Sequence, residues 1–309
     1  MRAAAYDEYG SPDVLTTRDL PDPKVGPGEL LVEVRTAGVN PVDWKLMSGG
    51  LDGMMEATFP VVPGWDVAGV VRATGPDTPE FEVGDEILAY ARKDWVHGGT
   101  FAELVSVPVR AAARKPDALS WEVAGALPLT GLTALRTLRA LRVSEGDTVL
   151  IHGAAGGVGR IAVQLARLLG ATVIGTASDA NHDRLRGLGA TPITYGDGLA
   201  DRVRDLAPDG VNAVADFVGG NLEDTLAVLA EGGRHASVAD PSVEQHGGHW
   251  IWVRPDAAEL QWLADLAGRG ELVVDIAGTY ELDQLAAAFK RSQEGHVAGK
   301  LVIVISAEI

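Results

Sequence analysis

Asp147 to Leu169 reads DTVLIHGAAGGVGRIAVQLARLL, and this stretch decides the fold. Residues 147–152 are short and apolar, as in a buried strand. Val158, Ile161, Ala162, Leu165 and Leu168 then recur at i, i+3, i+4 spacing, which is one face of a helix. Gly170 follows as a stop signal. Between strand and helix, Gly153 to Gly159 reads GAAGGVG. Ala154, Gly156 and Gly159 occupy the three positions of the G-x-G-x-x-G fingerprint, with alanine in the first. Strand, glycine loop and helix in that order are the context in which this fingerprint signals a dinucleotide. Gly156 lets the backbone approach a pyrophosphate, and Gly159 lets the helix pack close to the sheet. The helix N-terminus adds unpaired N–H groups and a dipole equivalent to about +0.5 charge.

Downstream, the same alternation continues. Strands are expected at Ala171–Ala177, Ile193–Tyr195, Val211–Phe217, Arg234–Ala239 and Trp250–Val253, with a short helix ending near Gly189. Leu129–Leu141 is expected as a helix upstream. Strands alternating with helices imply a parallel, doubly wound sheet. The first third differs. Glu29–Ala37, Val67–Thr74, Asp85–Tyr90 and Thr100–Val107 read as short strands bounded by Gly and Pro, as in a compact barrel-like β domain. The last segment offers a helix at Ala257–Ala267, a strand at Leu272–Ile276, a helix at Leu282–Arg291 and a strand at Lys300–Ile305. The terminal KLVIVI is apolar almost throughout and needs cover on both faces. It is expected to return to the first domain. The expected division is therefore 1–118 with 254–309, and 119–253.

The end of the second strand chooses the cofactor. A carboxylate there would bind ribose hydroxyls, but the chain has Thr176-Ala177-Ser178. Ser178 can donate to a phosphate, and His182, Arg184 and Tyr195 lie close in sequence. This pattern points to NADPH. Asp179 opposes it: a carboxylate about 4 Å from one unit of phosphate charge costs on the order of 4 kcal/mol. Asp179 is therefore expected to face solvent, as an N-cap for the next helix.

Composition narrows the function classes. The 309 residues carry 26 Lys+Arg against 43 Asp+Glu, a formal charge of −17, which argues against nucleic acid or an anionic membrane as partner. No cysteine is present, which excludes disulfides, thiolate catalysis and Cys-ligated zinc. No apolar run reaches transmembrane length. Met1 leads directly into a strand-like segment, with no basic region followed by an apolar one, so the cytoplasm is the expected compartment. His246-x-x-His249 lacks an evident third ligand and reads as a loop. The neighbouring HWIWV reads as an edge strand needing cover, and a homodimer joined sheet to sheet is expected.

The chain resembles the medium-chain dehydrogenase/reductase superfamily, and within it the zinc-free, zeta-crystallin-like quinone oxidoreductases. The resemblance rests on AGVNPVDWKLMSG (Ala37–Gly49), PGWDVAGVV (Pro63–Val71), GGTFAELVSVP (Gly98–Pro108), ALPLTGLTAL (Ala126–Leu135), GAAGGVG and EGHVAGKLVI (Glu294–Ile303). It implies an α/β chain with a GroES-like β-rich substrate domain and a Rossmann domain. It also implies hydride transfer from NADPH to a quinone or an α,β-unsaturated carbonyl. Zinc-using relatives place a Cys near Asp43 and a His after Gly64; here Asp43 and Trp65-Asp66 stand there, which implies that the metal is lost.

By resemblance, Asn40 lies beside the nicotinamide and Thr130 near it and its ribose. Ala155, Gly156, Gly157 and Val158 would hold the pyrophosphate. Ser178, His182 and Tyr195 match positions that contact the adenosine phosphate. Val218, Ser237, Val238 and Ala239 would line the adenine and nicotinamide sides, and Gly299-Lys300 matches a Gly-Lys pair near the cofactor. Some related enoyl reductases carry a Tyr shortly after the VNP motif; residues 48–55 contain none. Lys45 is then the candidate for polarising the carbonyl, with a surface lysine packed along Trp44 as the other reading. Trp44 and Trp65 could stack on a flat substrate or pack in the core. Two alternatives stay open: an enoyl reductase tailoring a polyketide-like intermediate, and a cofactor-binding relative without redox turnover.

Overall fold

Alternating apolar residues between Gly and Pro turns build the first third of the chain as strands. The structure is a computed structural model and describes residues 1–306. β1 (Arg2–Ala5) and β2 (Thr16–Asp19) pair as a small antiparallel sheet. β3 (Glu29–Val39) follows, then the short helix α1 (Pro41–Met47) and β4 (Asp66–Thr74). β5 (Glu86–Tyr90), β6 (Leu104–Pro108) and β7 (Ala112–Arg114) complete this part. Leu30, Val32 and Val34 alternate along β3 and are fully buried, as one core-facing side of a strand requires.

The next helix, α2 (Trp121–Ala140), begins eight residues before the expected Leu129 and carries Pro128 inside it. Proline removes one backbone donor and disturbs the turn before it. The N–H of Leu129, just past the proline, donates to Asp66 Oδ1 at 2.7 Å. A side chain from β4 thus supports the helix where its own ladder is interrupted.

β8 (Thr148–His152), α3 (Gly157–Leu168), β9 (Thr172–Thr176), α4 (His182–Gly187) and β10 (Thr191–Ile193) come next. They are followed by α5 (Leu199–Leu206), β11 (Val211–Asp216), α6 (Leu222–Val228), β12 (Leu229–Ser237) and β13 (His249–Trp250). The six strands form one parallel sheet in the order β10-β9-β8-β11-β12-β13. The order runs outward in both directions from β8 and β11, so their carboxyl ends mark the switch point where such sheets take ligands. Leu150, Ile174, Leu199, Val203 and Val214 form part of the core beneath this sheet.

The chain ends with α7 (Ala257–Gly268), β14 (Ile276–Glu281), α8 (Leu285–Gln293) and β15 (Lys300–Val304). Asp256 caps α7 by accepting from Glu259 N–H at 3.0 Å. β15 lies between β14 and β3, parallel to one and antiparallel to the other, in a sheet ordered β14-β15-β3-β4-β5-β7 with β6 also on β3. Lys300 to Ile303 are all buried. The strand expected at Leu272–Ile276 lies instead at Ile276–Glu281. Leu272 and Val274 are buried from a loop, so their apolar character reflects packing and not strand pairing.

Two compact units result: Met1–Leu132 together with the segment from Arg254 onward, and Thr133–Val253. The first division falls inside α2, whereas sequence places it at 118/119. The start of α2 is tied to the first unit: Thr36 Oγ1 donates to Trp121 O at 2.6 Å, and a Cβ at Gly38 would lie 2.6 Å from Gly125 O. Among the described residues, no helix is long and apolar enough to cross a membrane.

Ile303 is fully buried in β15. Ile303→Ala is expected to lower unfolding free energy by about 2–5 kcal/mol, read by urea denaturation. A loss well below that range would show that β15 is not clamped in the core.

Candidate active site

The glycine loop after β8 is shaped by close approach. A Cβ at Gly159 would meet Gly153 O at 2.2 Å and the Ala154 Cα at 2.7 Å. Only glycine lets α3 come this near the loop. Gly156 differs: its Cβ would find no protein atom nearer than Gly153 O at 3.4 Å. Nothing in the protein itself excludes a side chain there, so the space beside Gly156 is a cradle open to a ligand. Thr176, at the end of β9, holds the loop: its Oγ1 accepts from Gly153 N–H at 3.1 Å and its carbonyl from Ala154 N–H at 3.1 Å. Gly156 caps α3, so the first N–H groups of Gly157 and Val158 have no partner within the helix. Ala155, Gly156, Gly157 and Val158 are all partly exposed. This arrangement fits a dinucleotide pyrophosphate.

The residues after β9 form a second cluster on the same sheet. Ser178 is half-buried, and its Oγ accepts from Asn181 Nδ2 at 3.1 Å. One ring nitrogen of His182 lies 3.3 Å from Ala177 O. Asp179 is exposed but caps no helix. Its Oδ1 accepts from Thr194 Oγ1 at 2.9 Å, and Asn181 stands at the cap of α4 instead. The reason is local: residues 179–181 form a 3₁₀ turn that moves the helix start past Asp179. Arg184 and Tyr195 are exposed beside this cluster.

Asp216 is a residue of the candidate site that sequence reasoning missed. It ends β11 and is buried, and its carboxylate accepts from Val218 N–H, Gly219 N–H and Asn221 Nδ2 at 3.1–3.2 Å. Ser237 Oγ donates to it at 2.8 Å, and that same oxygen accepts from the N–H groups of Ala239 and Asp240. Val238 N–H donates to the Asp216 carbonyl at 3.1 Å. One carboxylate therefore ties the loop after β11 to the loop after β12. The signal available in sequence was an Asp closing an apolar strand before Phe-Val-Gly-Gly. Val218 is largely exposed, and its Cγ2 sits 2.4 Å from where a Cβ on Gly153 would stand, so it adjoins the fingerprint.

The other predicted residues gather in the first unit, in a buried polar network. Lys300 Nζ donates to Val39 O at 2.8 Å and to Asn40 Oδ1 at 2.5 Å, and lies 3.8 Å from Asp66 Oδ2. Asn40 Nδ2 donates to Asp66 Oδ2 at 2.8 Å, and Asn40 N–H donates to Asp43 Oδ2 at 2.7 Å. Burial pushes the Asp66 carboxyl up to about 6, against the lowering pull of Lys300 and Asn40. Burial likewise pushes Asp43 up to about 8 and lowers Lys300. Asp43 Oδ1 and the Tyr6 hydroxyl are buried with no hydrogen-bond partner among the described residues. Gly299 turns the chain into this network at a positive φ, where a Cβ would lie 2.6 Å from Asp275 O. Thr130 is buried, and its Oγ1 donates back to Ala126 O at 2.9 Å.

Lys45 stands outside this network. It is exposed on α1, with Nζ 5.7 Å from the Trp44 ring centroid. Trp44 donates from Nε1 to Ser292 Oγ at 3.1 Å, which anchors α1 to α8. Trp65 is buried and packs edge-on against Tyr90 at 6.0 Å, a core contact. The loop after α1, which lacks a tyrosine of its own, receives one from the N-terminus: Tyr9 hydroxyl donates to Asp52 Oδ1 at 2.5 Å. Among the described residues, no group of three or more His, Cys, Asp or Glu is arranged to hold a metal.

Burial raises the Asp43 carboxyl to about 8 in the folded protein against about 4 when unfolded, so this group's contribution to folding stability falls as pH rises from about 4 towards 8. Asp43→Asn removes that proton. Its melting temperature is expected to decline less between pH 5 and pH 8 than that of the wild type. Parallel declines would mean that Asp43 is ionised in the folded protein.

Comparison with known proteins agrees with this fold. Residues 26–117 match the alcohol dehydrogenase GroES-like domain, and residues 188–303 match the zinc-binding dehydrogenase family. The chain is 33% identical to 2-methylene-furan-3-one reductase of Solanum lycopersicum, over 98% of this chain and 79% of that one. It is 32% identical to the chloroplastic NADPH-dependent alkenal/one oxidoreductase of Arabidopsis thaliana, over the same shares. The solved structure of the quinone oxidoreductase from Coxiella burnetii superposes with a TM-score of 0.87 at 32% identity, covering 99% of each chain. The chain belongs to the medium-chain dehydrogenase/reductase superfamily of oxidoreductases, with the quinone oxidoreductases and alkenal/one reductases.

Proposed function

We propose that the protein is a zinc-independent, NADPH-dependent reductase that transfers hydride to a quinone or to the β-carbon of an α,β-unsaturated carbonyl. The observation that carries this reading is the open cradle beside Gly156, at the start of α3, on a sheet whose strand β9 ends at Thr176 and is followed by Ala177-Ser178 and not directly by a carboxylate. Bound there, NADPH supplies the hydride. Gly157 and Val158 N–H groups would hold the pyrophosphate, where the helix end favours negative charge. Ser178, His182, Arg184 and Tyr195 would take the adenosine phosphate. Asp179 Oδ1 accepts from Thr194 Oγ1 at 2.9 Å and also lies 3.7 Å from His182 Nε2.

Hydride addition to an enone leaves negative charge on the carbonyl oxygen, and a cation near that oxygen lowers the barrier. Lys45 is exposed and takes that role in our reading; solvent then protonates the enolate carbon. Asn40, Thr130 and the Gly299–Lys300 turn orient the nicotinamide side, and Val218, Ser237, Val238 and Ala239 border the cofactor. The chain's lack of cysteine supports zinc independence. We place the protein in the cytoplasm as a homodimer. Support for the dimer is that β13 forms one edge of the parallel sheet, and an open edge is a ready surface for pairing.

The test is oxidation of NADPH and of NADH at 340 nm against an alkenone and a quinone. We expect turnover with NADPH, and a Kd for NADPH lower than that for NADH by about tenfold or more, as a few charge-assisted contacts supply. His182→Ala with Ser178→Ala is expected to erase that preference. Preference for NADH in the wild type would overturn the phosphate assignment. Lys45→Met is expected to lower kcat for the alkenone by about 10- to 100-fold; an unchanged kcat would remove Lys45 from the reaction.

A further inference from the structure

We propose that Asp66 and Lys300 are positioning residues: together they set the orientation of the Asn40 side-chain amide and of the turn that carries Thr130. This rests on the reading above that Asn40 and Thr130 lie at the nicotinamide.

The argument starts from donor and acceptor counts. An ammonium has three N–H donors and no acceptor. Lys300 Nζ faces three acceptors within the protein: Val39 O at 2.8 Å, Asn40 Oδ1 at 2.5 Å and Asp66 Oδ2 at 3.8 Å. It is buried. Two donors are bound within the protein and the third faces Asp66 at ion-pair distance, so this buried ammonium acts on the reaction through what it holds. What it holds is Asn40. The amide oxygen of Asn40 faces the ammonium, and its nitrogen faces the Asp66 carboxylate at 2.8 Å. Turned over, the amide would set N–H groups against a cation and an oxygen against an anion. Its orientation is therefore fixed by charge. Only the second Nδ2 hydrogen has a weak partner, Gly38 O, with Nδ2 3.4 Å from that oxygen.

Asp66 acts in two directions at once. Its Oδ2 holds Asn40, and its Oδ1 accepts from Leu129 N–H at 2.7 Å, next to Pro128 and immediately before Thr130. Two residues from distant parts of the sequence are thus referenced to one carboxylate. Burying such a pair is weak grounds for stability, since apolar replacements of similar volume often do as well. Its value here is geometric.

The experiment uses the full-length protein and the variants Lys300→Met, Lys300→Gln, Asn40→Ala and Lys300→Met with Asn40→Ala. Four quantities are measured on each: melting temperature, Kd for NADPH, kcat and KM with the better of an alkenone and a quinone, and the emission spectrum of bound NADPH. For Lys300→Met we expect a Kd within about threefold of wild type, a kcat lowered by about 10- to 100-fold, and bound-NADPH emission shifted as in Asn40→Ala. Lys300→Gln, which keeps one N–H for Asn40 Oδ1, is expected to recover part of the kcat and to serve if the methionine variant folds poorly. The double variant is expected to lose no more kcat than Asn40→Ala alone, the non-additivity that a shared mechanism produces. An unchanged kcat in a folded Lys300 variant overturns the proposal, as do losses that multiply in the double variant. A fall in melting temperature with kcat and emission unchanged would mark a structural role and overturns it too. Wild-type protein that neither binds nor oxidises NADPH instead overturns the functional reading, and does so before any variant is compared.

Discussion

A fully buried carboxylate without a partner is costly, because burial strips the charged form of its water. Asp66 meets that requirement with groups drawn from three separate parts of the chain: Asn40 at the end of β3, Leu129 inside α2 and Lys300 at the start of β15. Much of the first unit is organised by this one demand. The C-terminal strand has to return between β14 and β3 for Lys300 to reach Asp66. The helix has to arrive with its proline-interrupted turn facing β4. Gly38 has to lack a side chain, since a Cβ there would lie 3.0 Å from Asp66 Oδ2 and 2.6 Å from Gly125 O.

The second unit is organised by backbone approach. Gly159 brings α3 against the loop, and Thr176 and Asp216 each hold a loop at the carboxyl end of a strand. Their partners are largely backbone N–H groups, so the loops are set by directional bonds and not by packing alone. This suits a region that has to leave space for a ligand: apolar side chains would fill the cradle, whereas hydrogen bonds hold its rim.

The two units differed in how far they could be read in advance. The β8–loop–α3 segment was legible because its signals are local: an apolar run, glycines at fixed spacing and a 3.6-residue period all fall within 23 consecutive residues. The parallel order of the sheet followed from the alternation of strands and helices. The start of α2 was not legible, because Pro128 reads locally as a helix breaker, whereas here the next N–H is met by the distant Asp66 side chain. The strand near 272 was misplaced because buried loop residues and strand residues share the same apolar character. Asp179 was read correctly as exposed but wrongly as a cap, since a 3₁₀ turn shifts the helix start.

By itself, the sequence determined what is written in local spacing: a doubly wound dinucleotide-binding region, a β-rich region before it, the lack of thiol ligands, and the motifs of one superfamily. Only the tertiary structure decided which polar residues meet. Asp66 carried no local signal, yet it joins residues 26 positions before it and 63 after it. Lys300 reads from sequence as a cofactor neighbour, and the fold also sets its ammonium against Val39, Asn40 and Asp66. The physical reason is that helix and strand periods are set by neighbours a few residues apart, whereas the partner of a buried charge is set by which strands lie side by side.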